Sequence, residues 1–155
     1  MDSNEVRLVN PIETVLVYIE NHDAYLLIHK KKKDMNEGKY LGIGGKIEPN
    51  ETVVQALIRE TFEETGLTLL RYHHRAEIYF HQGEYHETMH LFTADVYTGE
   101  LTASNEGDLV WVKKANIKSL PMWAGDHYFL DKLENSKDFF EMHLYYEQEK
   151  LIKVE

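Results

Sequence analysis

Apolar and polar residues alternate in short stretches along the first third of the chain, which is the pattern of half-buried β-strands. Residues 6–9 and 14–19 are predicted strands separated by an Asn-Pro pair, and residues 24–29 are predicted to return after the turn at 21–23. A further apolar stretch, residues 40–43, ends at a pair of glycines. This part of the chain is therefore predicted to be β-sheet.

The spacing of apolar residues then lengthens from two to between three and four, which predicts a helix from about residue 52 to 65. Asn50 is its predicted N-cap, and Gly66 stands where a C-cap glycine is expected. One face of this helix is predicted to enter the core, and it carries Val54, Ile58, Thr61, Phe62 and Thr65. The other face is acidic.

The remainder of the chain is predicted to be strands around a second helix. The elements are a hairpin of strands 69–80 and 87–97 across residues 81–84, a polar loop at 101–107, a strand at 109–112, a short helical segment at 115–120, a helix at 127–133 capped by Asp126 and ended by Asn135-Ser136, and a last hairpin of strands 139–146 and 151–154. Neither a linker nor a repeat interrupts this order, so residues 1–155 are predicted to form one domain. This order of elements, in which two helices separate three groups of strands, indicates an α+β fold with a helix on each face of a mixed sheet.

Composition narrows the class of protein. The chain has 155 residues, of which 43% are apolar, and this suits one globular domain. It contains no cysteine, so neither a disulfide nor a thiolate metal site is possible. The acidic start of the chain lacks the apolar segment of a signal peptide, and no apolar run is long enough to span a membrane. We therefore expect a cytoplasmic protein without membrane association.

The net charge of −10 restricts the possible ligands. Such a charge repels nucleic-acid polymers, which bind to surfaces rich in lysine and arginine, and it also repels a free polyphosphate. A nucleotide site here must therefore bring its own cations. The run Lys30–Lys33 is one candidate, as a cationic rim that attracts phosphates, but we favour the simpler interpretation of a solvated loop.

Candidate metal ligands are concentrated on the first predicted helix. Glu60, Glu63 and Glu64 stand at i, i+3 and i+4, which places them on one face. Three like charges would weaken the helix unless a divalent cation offsets them, and carboxylate oxygens are ligands that Mg²⁺ prefers. Just before the helix, Gly44-Gly45 allows the backbone to approach a ligand closely. The alternative is an amphipathic helix with a solvated acidic face.

Histidines are a second group of potential ligands. Five lie in the predicted central hairpin: His73, His74, His81, His86 and His90. His86 and His90 would share a strand face, but no compact ligand pattern is visible. We therefore do not predict a histidine metal site.

The stretch around the acidic helix resembles a known family. Its pattern is that of the Nudix box of the MutT-type hydrolases: Gly45, then five residues, Glu51, seven residues, Arg59-Glu60, two residues, Glu63-Glu64, one residue, and Gly66-Leu67. Thr61 stands where an aliphatic residue is usual. The resemblance implies an α/β/α sandwich with a central mixed sheet, and a divalent metal cofactor, Mg²⁺, for which Mn²⁺ can substitute.

The same resemblance implies roles for individual residues. Glu63 and Glu64 would be direct metal ligands, and Glu60 would act as the base or hold a metal-bound water, oriented by Arg59. The carbonyl of Gly44 would add a backbone ligand. Lys46 would contact a phosphate. Gly45, Glu51 and Gly66 would be structural, with Glu51 expected to pair with Arg59.

Outside the box, the chain resembles the branch of the family that hydrolyses oxidised purine nucleoside triphosphates. Glu106, five residues before Trp111, matches a further metal-site carboxylate. Trp123 and Asp126 match a segment that lines the base pocket, and with Tyr40 and Lys46 they complete the predicted substrate-binding residues. Trp123 could instead be a core aromatic and Asp126 a helix cap.

Two positions depart from that branch: Leu41 stands where relatives can have an asparagine that touches the base, and Gly125 stands where some have a second aspartate.

Three hypotheses about function follow. The first is a Mg²⁺-dependent pyrophosphohydrolase that releases a nucleoside monophosphate and pyrophosphate from 8-oxo-dGTP or a related purine nucleotide. The second is the same chemistry on ADP-ribose or another nucleoside diphosphate derivative. The third is a catalytically silent Nudix module that binds a nucleotide, which the complete set of box glutamates disfavours. In each case the expected partner is a small nucleotide, and the chain is expected to be a monomer or weak homodimer.

Overall fold

Nine strands form one mixed sheet in the computed structural model, which describes residues 12–155. The strands are β1 Ile12–Asn21, β2 Ala24–Lys30, β3 Tyr40–Leu41, β4 Ile43–Lys46, β5 Thr68–Gln82, β6 Tyr85–Thr98, β7 Gly107–Lys113, β8 Phe140–Glu147 and β9 Lys150–Val154. The helices are α1 Val53–Thr65, α2 Ala124–Asn135 and a 3₁₀ helix at Lys114–Ser119. Most of these elements confirm the predicted ones within a few residues at each end. The strand predicted at residues 40–43 is instead divided at Gly42 into β3 and β4, so Gly44 and Gly45 lie within a strand. The strand predicted at residues 6–9 lies outside the described part of the chain.

The sheet order is β3-β2-β1-β6-β5-β8-β9, with β1/β6 and β5/β8 parallel and the other neighbours antiparallel. Strand β7 pairs with β2. Strand β1 has one edge that two partners share, because β2 pairs with it at Ile19–Asn21 and β4 at Thr14–Val17. The glycine pair in β4 is thereby hydrogen-bonded to a strand in the middle of the sheet.

Alternate side chains of β1 enter two separate apolar clusters. Tyr18 belongs to the cluster that contains Phe129 of α2, whereas Val17 and Ile19 belong to the one that contains Leu57 of α1. Because neighbouring strand residues point to opposite faces, the two helices cover opposite faces of the sheet. This arrangement confirms the predicted α+β class and the helix–sheet–helix layering.

The predicted core face of α1 is wrong at two of its positions. Val54 is 39% exposed and Phe62 is 56% exposed, while the buried residues of the helix are Ala56, Leu57, Thr61 and Thr65. The buried stripe therefore runs next to the carboxylates, since Leu57, Glu60, Thr61 and Glu64 follow one another at i, i+3, i+4 and i+7. The acidic residues consequently lie at the helix–sheet boundary.

The caps of α1 differ in part from expectation. Thr52 is the N-cap: its hydroxyl accepts from the Gln55 N–H, and the Gln55 side chain accepts from the Thr52 N–H. Asn50 is therefore not the cap; it has φ 67° in the loop before the helix. The predicted C-cap is confirmed, because Gly66 has φ 81° and donates its N–H to the Phe62 carbonyl.

The second helix begins three residues earlier than predicted. It starts at Ala124, so Asp126 lies inside the first turn and does not cap it. Asp126 is only 5% exposed, whereas a residue that caps a helix at the surface would face solvent.

Among the described residues, no helix is both long and apolar enough to span a membrane.

Candidate active site

Arg59 joins the loop before α1 to the helix itself. Its Nε donates to Glu51 Oε2 at 2.6 Å and its Nη2 to Glu51 Oε1 at 2.9 Å, so the guanidinium is held by both carboxylate oxygens. Nη2 also donates to the Lys46 carbonyl at 3.1 Å. The predicted Arg59–Glu51 pair is confirmed, and it connects β4, the loop and the helix through one side chain.

The remaining nitrogen of Arg59 points along the acidic face. Nη1 donates to Glu60 Oε2 at 3.0 Å and to Glu63 Oε1 at 3.2 Å. A single cation therefore donates hydrogen bonds to three carboxylates, of which Glu51 is the bidentate partner. The single positive charge of Arg59 is therefore smaller than the combined negative charge of the carboxylates on and beside this helix face.

Backbone from β4 completes this cluster. The Gly44 N–H donates to Glu64 Oε2 at 3.1 Å. At Gly45, a Cβ atom would lie 2.5 Å from the carboxyl carbon of Glu60, so the glycine leaves the space which that carboxylate occupies. The structure thus brings Gly44, Gly45, Glu60 and Glu64 together, with Glu63 more exposed beside them.

Burial disfavours ionisation of two of these carboxylates. It raises the pKa of Glu64 to about 7, despite the opposing hydrogen bond from Gly44, and it raises the pKa of Glu60. By contrast, the hydrogen bonds from Arg59 lower the pKa of Glu51 to about 2. Glu60 and Glu64 are partly buried, and the nearby cationic side chains do not neutralise them fully. Carboxylates in this state are suitable oxygen ligands for a hard divalent cation.

Glu106 is held at the same end of the sheet by lysines. Lys30 Nζ lies 2.9 Å from Glu106 Oε1 and Lys32 Nζ lies 3.6 Å from Oε2. These contacts lower the pKa of Glu106, and the charges of Glu106 and Lys30 both act on Glu64. Lys30 is the last residue of β2 and its side chain is only 11% exposed, so the solvated-loop interpretation is wrong for this member of the lysine run.

A cavity of about 610 Å³ extends from this cluster between β1, β2 and α2. Gly44, Gly45 and Glu64 line one part of it, and Trp123 and Asp126 line another. Its other lining residues are Thr14, Val15, Leu16, Ile28, Lys30, Met35, Asn36, Leu41, Gly42, Phe80, His81, Gln82, Tyr85, Glu87, Met89, Phe129 and Tyr146. The cavity connects the carboxylate cluster with the residues predicted to contact a base.

Trp123 is fixed on several sides. Its Nε1–H donates to Asn36 Oδ1 at 2.7 Å, Lys39 Nζ lies 4.4 Å from the ring, and Tyr146 packs edge-on at 5.6 Å. Asn36 lies in the loop between β2 and β3 and was missed in the sequence, where no periodicity marks it.

Asp126 lines the cavity without a hydrogen bond to its carboxylate from residues 12–155. Burial, and next the charge of Glu87, raise the pKa of Asp126 to about 8. Glu87 was also missed; it accepts from the Thr14 hydroxyl and from the Tyr85 hydroxyl, each at 2.7 Å. A side chain with a pKa of about 8 is mostly protonated at neutral pH and can donate as well as accept.

The neighbouring Gly125 allows α2 to pack closely on β8. A Cβ there would lie 2.7 Å from Leu144 Cδ1 and 2.8 Å from the Tyr146 hydroxyl oxygen, which accepts the Gly125 N–H at 2.8 Å. A second acidic residue at position 125 would therefore require the Leu144 and Tyr146 side chains to shift.

Two predicted substrate residues do not line the cavity. Tyr40 stacks on His29 with ring centroids 4.1 Å apart, and its N–H donates to the Pro121 carbonyl. Lys46 is exposed, and its backbone carbonyl accepts from Arg59. Leu41, in contrast, does line the cavity.

The fold and the carboxylate cluster on α1 are together those of a Nudix hydrolase. The model of the NUDIX domain matches residues 10–133, and the chain belongs to this family. Members of the family generally use a divalent metal.

Named relatives are consistent with this assignment. The oxidized purine nucleoside triphosphate hydrolase of Danio rerio is 36% identical over 116 residues, which are 74% of each chain. The protein of the same name from Mus musculus is 32% identical over 116 residues, again 74% of each chain. Among solved structures, a MutT protein from Bacillus halodurans superimposes with a TM-score of 0.85 at 25% identity, over 93% of this chain and 96% of that one.

Proposed function

We propose that the chain is a Mg²⁺-dependent nucleoside triphosphate pyrophosphohydrolase that converts an oxidised purine nucleotide such as 8-oxo-dGTP to the monophosphate and pyrophosphate. The observation that carries this proposal is that Glu64 and the glycine pair line the same cavity, of about 610 Å³, as Trp123 and Asp126. Its volume suits a ligand of nucleotide size. The relatives named as oxidized purine nucleoside triphosphate hydrolases support the substrate class.

The carboxylate cluster suits a hard cation. Glu60, Glu63, Glu64 and the Gly44 carbonyl would provide oxygen ligands, and burial of Glu60 and Glu64 leaves their charges poorly solvated. Glu106 would join them only by leaving its contacts with the lysines. When bound, Mg²⁺ would neutralise phosphate oxygens and lower the pKa of a coordinated water, and Mn²⁺ should substitute for it.

The protein groups would position water and accept its proton. Glu60 is the preferred base, because its carboxylate is oriented by Arg59 Nη1 and its raised pKa favours proton uptake. The water oxygen would bond to the α- or β-phosphorus, and the P–O bond of the α–β anhydride would break with its electrons moving to the leaving group, pyrophosphate or the nucleoside monophosphate respectively. The proton of the water would go to Glu60. Arg59 would stay bound to Glu51 and maintain this geometry.

Recognition of the base would rest on three residues. Protonated Asp126 offers one donor and one acceptor, which match O6 and N1–H of a guanine-type base. Since Asn36 Oδ1 accepts from Trp123, the amide nitrogen of Asn36 remains a donor for a base carbonyl.

Product identification on a nucleotide panel would test the function. The panel contains dGTP, 8-oxo-dGTP, dATP, dCTP and ADP-ribose, with Mg²⁺, and Glu60→Gln serves as the inactive control. We expect pyrophosphate and 8-oxo-dGMP, with 8-oxo-dGTP the best substrate. Release of inorganic phosphate, a preference for ADP-ribose, or nucleotide binding without turnover would each contradict the proposal. Cytoplasmic location and a monomeric or weakly dimeric state remain predictions.

A further inference from the structure

Three potential ligands meet between β5 and β6, and none of them lines the nucleotide cavity. One ligand atom from each of His74, Glu77 and His90 lies within 4.8 Å of the other two. We propose that His74, Glu77 and His90 form a second metal site, for a borderline transition-metal ion with Zn²⁺ as the expected occupant. This site is distinct in chemistry from the all-oxygen cluster on α1.

An irregularity in β5 creates the cluster. In a regular strand, residues three apart point to opposite faces. Here the register shifts between His74 and Ala76, so that His74 lies opposite Phe92 and Glu77 opposite His90. Because Phe92 and His90 are two apart on β6, His74 and Glu77 share their face. The intervening Arg75 donates to the Leu133 and Ser136 carbonyls at the end of α2, which stabilises the shifted register.

His90 supplies the observation that points to a ligand. The residue is 7% exposed, and its Nδ1 has no hydrogen-bond partner among the described residues. Its Nε2 lies 2.8 Å from Glu13 Oε1, so in the neutral ring the proton belongs on Nε2 and Nδ1 carries a lone pair. That lone pair faces Glu77 Oε2 at 3.7 Å. Two acceptors so placed are suited to hold a cation between them.

The Glu13 contact has the form of an orienting interaction around a metal. Metal-ligating histidines usually donate their second ring N–H to a carboxylate or carbonyl, which sets the tautomer and the ring direction. Glu13 does this from β1 while its own side chain stays 55% exposed. Glu13 is therefore a positioning residue for His90 and not itself a ligand.

The ligand types select the metal. Two imidazoles and one carboxylate are typical of Zn²⁺ sites with three protein ligands and a fourth position for water, whereas Mg²⁺ prefers oxygen alone. Donor atoms around tetrahedral zinc lie about 3.4 Å apart, given bond lengths of about 2.0–2.1 Å. The Nδ1–Oε2 separation of 3.7 Å is close to this spacing.

Access and rigidity also fit a bound ion. His74 is exposed, which gives an ion a route from solvent. Its ring stacks on Phe92 with centroids 4.6 Å apart and meets Phe139 edge-on at 5.2 Å. To bind a tetrahedral ion, the three ligand atoms would have to approach from separations of at most 4.8 Å to about 3.4 Å.

Metal titration of tag-free, EDTA-treated full-length protein tests the proposal. Zn²⁺ is titrated against a chromophoric chelator, with millimolar Mg²⁺ present to occupy the carboxylate cluster, and Co²⁺ is added separately to record its visible spectrum. We expect stoichiometric Zn²⁺ binding, a Co²⁺ spectrum of low coordination number, and a rise in Tm with Zn²⁺.

Variants of the two less buried ligands locate the site without disturbing the buried histidine. His74→Ala and Glu77→Gln should each weaken Zn²⁺ binding at least about tenfold, since even outer-sphere partners contribute about 10–100-fold. Glu13→Gln should weaken it less. His73→Ala is the matched control, because it removes a neighbouring exposed histidine that is not in the cluster.

A second histidine group makes the test discriminating. His81 lies 2.9 Å from His86 and 2.8 Å from His143 between ring nitrogens. Loss of Zn²⁺ binding in His81→Ala but not in His74→Ala would overturn the proposal. So would the absence of saturable Zn²⁺ binding, or unchanged affinity in both His74→Ala and Glu77→Gln, as expected if a proton on Nδ1 simply pairs His90 with Glu77.

Discussion

The carboxylate of Glu60 occupies the space that a side chain at position 45 would need. A Cβ on Gly45 would lie 2.5 Å from the Glu60 carboxyl carbon and within 2.6 Å of both its oxygens. Gly45 belongs to β4 and Glu60 to α1, so the contact sets how closely the helix approaches the strand. Position 45 therefore controls the geometry of the site directly.

Gly45→Ala should reduce kcat by at least about tenfold, because Glu60 must move away from Arg59 and a misplaced catalytic group is costly. The loss of stability should be modest, since Glu60 is half-buried and can rotate. Steady-state kinetics and thermal unfolding would measure both. Gly83→Asn is the control, as a side chain there meets nothing within 4 Å and asparagine tolerates its φ of 59°. Unchanged kcat in Gly45→Ala would contradict the role of this contact.

Arg59 and Glu51 should act as one unit. Arg59→Ala and Glu51→Ala should each lower kcat, and the double variant should be hardly worse than the more damaging single variant. A double-mutant cycle on kcat/KM would measure the coupling. Arg71 and Asp95 are a matched exposed pair, joined by two contacts of 2.8 Å, and their removal should leave activity unchanged. Strictly additive losses for Arg59 and Glu51 would show that they act separately.

Glu64→Gln should abolish most hydrolysis and yet stabilise the metal-free protein at alkaline pH. The folded pKa of Glu64, about 7, exceeds the ordinary value of 4.5, so the folded state binds more protons than the unfolded state between these values. Stability is therefore lost as pH rises through that window, and glutamine removes this loss.

Chemical denaturation in EDTA at pH 5 and pH 8 would test the Glu64 effect. The gain of Glu64→Gln over the parent should be below about 1 kcal/mol at pH 5 and should rise to about 2–3 kcal/mol at pH 8. Glu84→Gln, in the exposed β5–β6 turn, removes the same charge and should show no such difference. A gain that is equal at both pH values would refute the burial argument.

Asp126→Ala should lower kcat/KM for guanine-type nucleotides far more than for dATP or dCTP. An unpaired base edge in a buried site costs about 1–3 kcal/mol, which corresponds to about 5–150-fold. Trp123→Ala should weaken all purines alike, since a purine stacked on an aromatic ring gains about 1–3 kcal/mol whatever its edge. Steady-state kinetics on dGTP, 8-oxo-dGTP, dATP and dCTP would test both variants. An equal fall in kcat/KM for all four in Asp126→Ala would mean that the base is recognised elsewhere.

The sequence predicted the elements and the acidic helix well because both depend on local spacing. The helix from 52 to 65, the Gly66 cap and the Arg59–Glu51 pair follow from residues close together in the chain. The buried face of α1 could not be predicted in this way, because counting apolar residues favoured Val54 and Phe62, whereas the sheet packs against Ala56 and Leu57.

Features that depend on strand register were also beyond the sequence. The cluster of His74, Glu77 and His90 exists because β5 shifts its pairing between His74 and Ala76. No residue in that stretch is a glycine or proline that would mark such a shift. Asn36 and Glu87 likewise reach the cavity through the packing of distant strands, which periodicity does not encode.

The close packing at Gly125 restricts the order in which this site could change its specificity. An aspartate gained at position 125 would collide with Leu144 and with the hydroxyl of Tyr146. Such a substitution would require both side chains to move or to become smaller, and Tyr146→Phe alone would still leave Leu144 Cδ1 2.7 Å from the new Cβ. A second carboxylate next to Asp126 is therefore opposed by an epistatic barrier in this sequence, which a change of Leu144 or Tyr146 on β8 would lower.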